Sequence, residues 1–587
     1  MRNDPATPAP AGSKVALAVL VGLVVLSPWP FGSVHLRTTQ AIALVSLPTA
    51  LGAFAWDGWR GRGQRPLPPR ALLWPLLGLW TQAVFQLVPL PEGLHHWLAP
   101  GSAAVWHPDV PAAAAVLGPG PHPVSLYPEA TRRWLAFATG LIALALAAAP
   151  ALRHRHLQIR ASVAIVMGAV LVSAYAFVAR LAFGDKLFGA WTVPTVAPFG
   201  PFVSKNHFAG YVELAALLAI GLGAGLADEA RHGPGWLSWI ESRRSKWVVI
   251  AWGAAVVLVL AVPVSLSRGG VLSLCAGLLA FGVLRLRAHG RSRLSAWTLA
   301  ALLGVALLAA GAITAVLPSE ARGRVLSLAG VTSEQSGSYR IGVWRDTLRL
   351  VASSPIVGSG FGAYADALPR FKTAAGAFGI EHAENDHLEA LAEGGLVGGC
   401  LIAVLVALVL VRGVGAGTDR LSRGLTAGAL AGAIALLVHS AVDFNLRLPS
   451  NALVFAALVA VLLAPTTDSV TAPPTRLLAL VVMSTSLAAA LLTPWAGSRL
   501  DTGLLVRAAP SAGSSLRRAN VDGDVVAHLR RRPADATAWL ALAWLRAPAS
   551  RADAASLGSW AVGLDPTSAG VREASDTFRS HDGSSRR

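Results

Sequence analysis

Apolar and polar positions fall along this chain in long blocks. About thirteen apolar stretches of bilayer-spanning length lie near 15–34, 40–56, 71–89, 134–150, 161–183, 207–227, 247–265, 269–286, 295–317, 395–412, 425–444, 451–465 and 476–495. Each is bounded by charged or Pro/Gly-rich residues. The pattern predicts an all-α polytopic membrane protein with a large outer loop at 318–394 and a small α-helical C-terminal domain. Ser27-Pro28-Trp29-Pro30 stands where a signal peptide would carry small residues, so the first stretch is expected to be an uncleaved helix.

Composition narrows the class. Only 14% of the 587 residues are charged, against about 25% for a soluble protein, and the mean hydropathy is +0.55. Disorder is excluded for most of the chain, as is a disulfide or Cys-rich zinc scaffold, because Cys275 and Cys400 both lie in apolar stretches. The net charge of +18 would suggest nucleic acid on a soluble domain. Here the basic residues cluster in alternate loops instead: Arg60 to Arg70, Arg153 to Arg160, Arg231 to Lys246, and Arg285 to Arg293. Short basic loops stay in the cytoplasm, so residues 1–14 are expected inside, the C-terminus outside, and no nucleic-acid partner.

The longest outer loop carries the densest chemistry. Ser338–Val351 reads as an amphipathic helix with Ile341, Trp344, Leu348 and Val351 on its apolar face, Arg340 at the edge, and Arg345 and Arg349 opposite. Gly358 to Gly362 reads as a turn, since it lacks the Lys-Ser/Thr of a phosphate-binding loop. Glu381 to Glu389 follows, with Asp386 and Glu389 spaced as an N-cap and its capping partner. His382 and Glu384 therefore stand ahead of a helix, as a hydrated cap, a metal site or a general acid/base. His382 and His387 are five apart, unlike ligands on one helical face, so no metal is assigned. A His with a free pKa of about 6.5, or a partly buried carboxylate, suits proton abstraction from a hydroxyl at neutral pH.

Two further outer segments are candidates for ligand contact. Ser265 to Gly270 places Arg268 between two apolar spans, against the inside bias of basic residues. Phe202 to Gly210 contains Lys205, Asn206 and His207, and His439 and Asp443 lie at the end of a later span.

With these pieces in order, residues 15–495 resemble the O-antigen ligase/polymerase-like family of bacterial envelope polysaccharide glycosyltransferases. The resemblance rests on Asn-His-Phe-Ala at 206–209, Ser-Arg-Gly-Gly at 267–270, and Arg340 with Trp344 and Pro355. It continues through the Gly-rich turn at 358–362, Glu384-Asn385-Asp386-His387-Leu388 running to Glu393 and Gly395, and His-Ser with Asp-Phe at 439–444. It implies a multi-pass enzyme of the inner membrane with its site and C-terminus periplasmic. Such an enzyme moves a glycan from a polyprenyl-diphosphate carrier to a glycan or lipid acceptor, with inversion and no cofactor or metal. Arg268 and Arg340 match the arginines that act on the diphosphate; Asn385, Lys205, Asn206 and His207 are implied substrate contacts. Where the family has His-Asn, this chain has Glu384-Asn385, and His382 is the nearest histidine. Glu384 and His382 both stay candidates for the base.

Residues 496–587 change character. Arg532-Pro533-Ala534-Asp535 and Leu564-Asp565-Pro566-Thr567 recur at a 33-residue period, which resembles a tetratricopeptide repeat. Helices are expected at 525–531, 536–545 and 552–564, disorder after about Thr577, and envelope protein partners for this segment. Two other functions compete with transfer: a lipid-linked sugar transporter or flippase, and a non-catalytic assembly scaffold.

Overall fold

A computed structural model describes residues 8–60, 66–67, 70–193, 198–230, 245–289, 335–373, 379–464, 468–469, 473–493 and 515–580. It is an all-α membrane protein. The described helices begin with α1 (Ala11–Leu26), α2 (Leu36–Arg60), α3 (Arg70–Phe85), α4 (Glu92–Leu98), α5 (Pro100–Trp106), α6 (Pro111–Leu117) and α7 (Pro128–Ala148). They continue with α8 (Arg155–Phe183), α9 (Lys205–Ala230), α10 (Ser245–Val264), α11 (Arg268–His289), α12 (Gln335–Ser353) and α13 (Tyr364–Ala367). Next come α14 (Asp386–Gly413), α15 (Arg420–His439), α16 (Pro449–Leu463) and α17 (Pro473–Leu492). The last are α18 (Ser515–Leu529), α19 (Ala536–Arg546), α20 (Arg551–Leu564) and α21 (Ala569–Ser580). Among the described residues, sheet is limited to three two-residue antiparallel pairs.

Eight of these helices are long and apolar enough to cross a membrane, and four shorter apolar helices accompany them. They fall on twelve of the stretches expected from the sequence; the one at 295–317 lies outside the described residues. The chain divides into two compact units. The first comprises 1–75, 136–330 and 404–488, the second 76–135, 331–403 and 489–587.

In the first unit, α9 is buried along its whole apolar length. Its contact with α15 is made by glycines four apart on each helix, Gly221 and Gly225 against Gly424 and Gly428. A Cβ on Gly424 would lie 2.6 Å from the Cα of Gly225, and one on Gly221 2.6 Å from the Gly424 carbonyl oxygen. Backbones this close need small residues, the means by which helices associate where lipid removes the hydrophobic drive. Leu171, Phe177 and Val178 of α8 and Val249 and Ile250 of α10 remain exposed, as lipid-facing side chains are.

In the second unit, α12 buries Val343, Asp346, Thr347 and Leu350. This corrects the expected apolar stripe by about one position; Leu348 is exposed. Two buried members of the true face are polar, which is why hydropathy missed it. Both are satisfied: Asp346 accepts from the Thr373 N–H and hydroxyl, each at 2.6 Å, and the Thr347 hydroxyl meets the Tyr364 hydroxyl at 2.7 Å.

The C-terminal helices α18 to α21 belong to this unit too. Trp539 is fully buried with its indole N–H donating to the Pro533 carbonyl at 2.7 Å, and Asp535 and Ser550 cap α19 and α20. Arg532 donates twice to Asp366, at 2.9 and 2.6 Å, and its guanidinium lies 4.4 Å from the Tyr127 ring centroid. α21 ends at Ser580, and 581–587, most of the tail expected to be disordered, lie outside the described residues.

Candidate functional site

The second unit assembles four of the expected site residues. α12 presents Arg340 and Trp344 one turn apart, and both grip residue 384. The Arg340 Nε donates to Glu384 Oε2 at 3.3 Å, and the Trp344 Nε1 donates to the Glu384 carbonyl at 3.4 Å. Both members of the ion pair are partly exposed. Glu384 has φ of +54°, the left-handed region that a glutamate adopts only at a cost of about 1–2 kcal/mol. Strain of this kind concentrates where geometry is held for function.

The cap differs from the expected one. Asn385, not Asp386, caps α14: its Oδ1 accepts from the N–H groups of His387 and Leu388 at 3.0 and 3.1 Å. Glu389 reaches back to the loop ahead of the helix. Its buried carboxylate takes the Ala383 N–H at 2.8 Å and meets His382 Nδ1 at 2.9 Å. An ionised carboxylate only accepts hydrogen bonds, so Nδ1 carries the proton and Nε2 is the basic nitrogen. Sequence reasoning assigned Glu389 a capping role. Its position seven residues after His382, across a loop, gave no periodic signal.

The Gly-rich turn supports this arrangement from below. The N–H groups of Ser359 and Gly360 donate to the Ala392 and Glu393 carbonyls, both at 3.1 Å. These carbonyls are open because α14 breaks at Gly395, whose φ is +62°. The Gly358 N–H goes to the Ser354 carbonyl at 3.1 Å and the Phe361 N–H to Gln86 Oε1 at 3.0 Å, so these backbone donors are spent within the protein, which suits a turn and not a phosphate cradle.

The first unit holds the other candidates at two helix starts. Lys205, Asn206 and His207 open α9, and Arg268 opens α11. Ser267 caps α11 by accepting the Gly270 N–H at 3.1 Å, and its hydroxyl donates to Asn206 Oδ1 at 2.9 Å. The Asn206 amide in turn donates to Asp443 at 2.6 Å, and His207 Nε2 lies 3.5 Å from the same carboxylate. A cation at a helix N-terminus works against the helix dipole by about 0.3–1 kcal/mol. Two such cations open two helices whose first N–H groups favour an anion, with the Asp443 carboxylate among them.

Beneath this locus is a pair that the sequence reading missed. Glu213, inside α9, meets His439 Nδ1 at 3.2 Å and accepts from Ser273; all three are buried. A Cβ on Gly269 would lie 3.0 Å from the His439 ring, so the imidazole forms the floor under the residue next to Arg268. The available signal was a lone carboxylate in an apolar stretch. Among the described residues, no group of three or more His, Cys, Asp or Glu is arranged to hold a metal ion.

Residues 253–403 match the family model described as O-Antigen ligase. The chain carries an O-antigen ligase domain. Over this stretch the match supports a glycan-transferring ligase/polymerase family of membrane enzymes. Arg268, Arg340, His382, Glu384, Asn385 and Glu389 lie inside the matched stretch of the ligase domain; Lys205, Asn206, His207 and Asp443 lie outside it. No curated protein matches the chain.

Proposed function

We propose that this protein transfers or polymerises a glycan from a polyprenyl-diphosphate carrier onto an acceptor hydroxyl at the periplasmic face of a bacterial inner membrane. The observation that carries the reading is the His382–Glu389 pair next to Arg340. Glu389 holds the imidazole with Nε2 as its basic nitrogen, and Arg340 supplies a planar cation for a phosphate oxygen. In this reading His382 Nε2 takes the acceptor hydroxyl proton as that oxygen attacks the anomeric carbon. The bond from the anomeric carbon to the diphosphate breaks, and its electron pair leaves on the phosphate oxygen. Attack from the face opposite the leaving group inverts the anomeric configuration.

The departing diphosphate gains negative charge, so guanidinium groups stabilise the transition state more than the ground state. Arg340 is proposed for this task; Arg268 with Lys205, at the two helix starts of the first unit, is proposed as a substrate-binding locus of that unit. No divalent metal is then needed for the leaving group. Asn206 and His207 are proposed to position Arg268 through Ser267 and Asp443, and Asn385 to fix the loop that bears His382 and Glu384.

Glu384 takes a second role. It occupies Arg340 at 3.3 Å, so an arriving diphosphate exchanges with its carboxylate on the guanidinium. Released beside His382, Glu384 then stabilises the imidazolium that proton transfer creates. The C-terminal helices are proposed as a periplasmic tetratricopeptide-like module.

The test is genetic. A deletion strain is expected to lose envelope polysaccharide of normal length or lipid attachment and to accumulate the lipid-linked donor. Wild-type protein should restore both, whereas Arg340→Lys at equal membrane abundance should not. Full restoration by Arg340→Lys would reject the reading.

A further inference from the structure

The second unit contains a cavity of about 260 Å³ that the transfer chemistry does not use. That volume is just below the range of small-molecule pockets, about 300–1,000 Å³, and suits one sugar unit. Two kinds of wall meet in it. One is aromatic: Trp106 and His122 stack at 4.8 Å between ring centroids, 13° from parallel. The other is cationic: Arg132 from the start of α7, with Arg530 and Arg531 from the end of α18.

The charges in this cavity do not cancel. Glu129, buried in the same wall, is the carboxylate there, and it lies 3.9 Å from Arg531 and 3.8 Å from Arg133. Arg530 spends its Nε on the Val116 carbonyl at 2.9 Å, which fixes the guanidinium without neutralising it. Among the described residues no hydrogen bond or ion pair engages the Arg132 side chain. The side chains therefore leave a surplus of planar cations in a small concave site.

His122 adds a directed polar group. Its Nε2 lies 3.2 Å from the Gly118 carbonyl, which only accepts, so Nε2 carries the proton and Nδ1 is an acceptor. Burial holds the ring below the usual histidine range, which keeps it neutral at neutral pH. An acceptor nitrogen on a flat ring suits a sugar hydroxyl, and the stacked rings suit the apolar face of a pyranose.

We propose that this cavity binds a saccharide unit bearing a carboxylate or phosphate, on the acceptor or on the growing glycan. Trp106 and His122 form its apolar wall, and Arg132, Arg530 and Arg531 take its anionic group. The inference rests on the glycan-transfer reading for its biological ligand, but the binding is measured without turnover. It also gives the C-terminal helices a task, since two of the arginines come from them.

The test uses the full-length protein in nanodiscs of phosphatidylcholine, with a short fluorescent oligogalacturonate as probe. Binding is expected, weakening as salt is raised, and at least about tenfold weaker in Arg132→Ser/Arg531→Ser. Arg132→Lys/Arg531→Lys should recover part of it, which separates lost charge from lost folding. Neutral maltohexaose should bind at least about tenfold more weakly than the acidic probe. Unchanged binding in the Ser variant, or equal affinity for maltohexaose, overturns the proposal. So does complete competition by inorganic phosphate at the probe's own concentration, or capture of phosphatidylglycerol vesicles in place of the saccharide. Arg340→Lys should leave this binding intact while stopping transfer. A wild-type protein that transfers glycan but does not bind the probe would overturn the cavity assignment alone, and a wild-type protein that binds the probe but transfers no glycan would overturn the function alone.

Discussion

His382 Nδ1 lies 2.9 Å from Glu389 Oε1, across the first turn of α14 from the loop that carries the histidine. The pair gives the imidazole one tautomer and one orientation, the two properties that a general base needs before its pKa matters. Glu389→Gln keeps a hydrogen-bonding group of the same shape but removes the charge that fixes the Nδ1 proton. We expect kcat to fall by about 10²-fold or more, with the donor KM nearly unchanged. His382→Ala should match it, and the double variant should be little worse than either single one. Additive losses in steady-state kinetics would show that the two side chains do not act as a unit.

Glu384 and Arg340 lead to a prediction of opposite sign. If the carboxylate competes with the diphosphate for the guanidinium, Glu384→Gln should tighten donor binding several-fold while lowering kcat, since its later support of the imidazolium is lost. Arg340→Lys should lose transfer on the order of 10²-fold. Equilibrium binding of a non-transferable polyprenyl-diphosphate analogue separates the effects. Weaker analogue binding in Glu384→Gln would remove the exchange role.

The glycine contact between α9 and α15 sets a stability expectation. Gly424→Val puts branched carbon where Gly225 already stands, and overpacking of a close-packed site costs about 1–3 kcal/mol. The melting temperature in detergent should fall, and Gly523→Ala, with open space around its Cβ inside α18, should not lower it and should raise it slightly through helix propensity.

A pH dependence follows from His95, which is fully buried near His96, His107 and His122, with Glu92 beside His96. Burial first, then repulsion from the neighbouring histidines, pulls its pKa down to about 3. The unfolded chain would protonate it near 6.5. Its contribution is therefore complete above about pH 6.5 and is lost progressively as pH falls toward about 3. Thermal melts between neutral and acid pH should show the second unit weakening below about 6.5, and His95→Gln should flatten that slope. A slope unaffected by the substitution would assign it to other groups.

How much of this was legible in the sequence depends on the residue type that carries each feature. Spans such as α9 and α14 announce themselves because lipid demands unbroken apolar runs. Arg268, Arg340, His382 and Glu384 stood out as ionisable groups in places where the pattern gave them no packing role. The buried face of α12 did not, because Asp346 and Thr347 read as polar and their partners, Thr373 and Tyr364, lie 27 and 17 residues away. The Glu389–His382 and Glu213–His439 pairs were hidden for the same reason: loop conformation and helix packing, not spacing, bring them together. The cap at Asn385 differs from the expected Asp386 by a single residue, within the usual uncertainty of helix ends.

The central claim is that the glycan leaves its carrier at this protein, and reconstitution measures that directly. Purified protein in liposomes, supplied with a polyprenyl-diphosphate-linked oligosaccharide, an acceptor glycan and EDTA, should release polyprenyl diphosphate in step with acceptor elongation. The new linkage should have the anomeric configuration opposite to the donor, and His382→Ala should release polyprenyl diphosphate about 10²-fold or more slowly. Donor that crosses the bilayer with its glycan still attached, or cleavage that disappears in EDTA and returns with a divalent ion, would contradict the account.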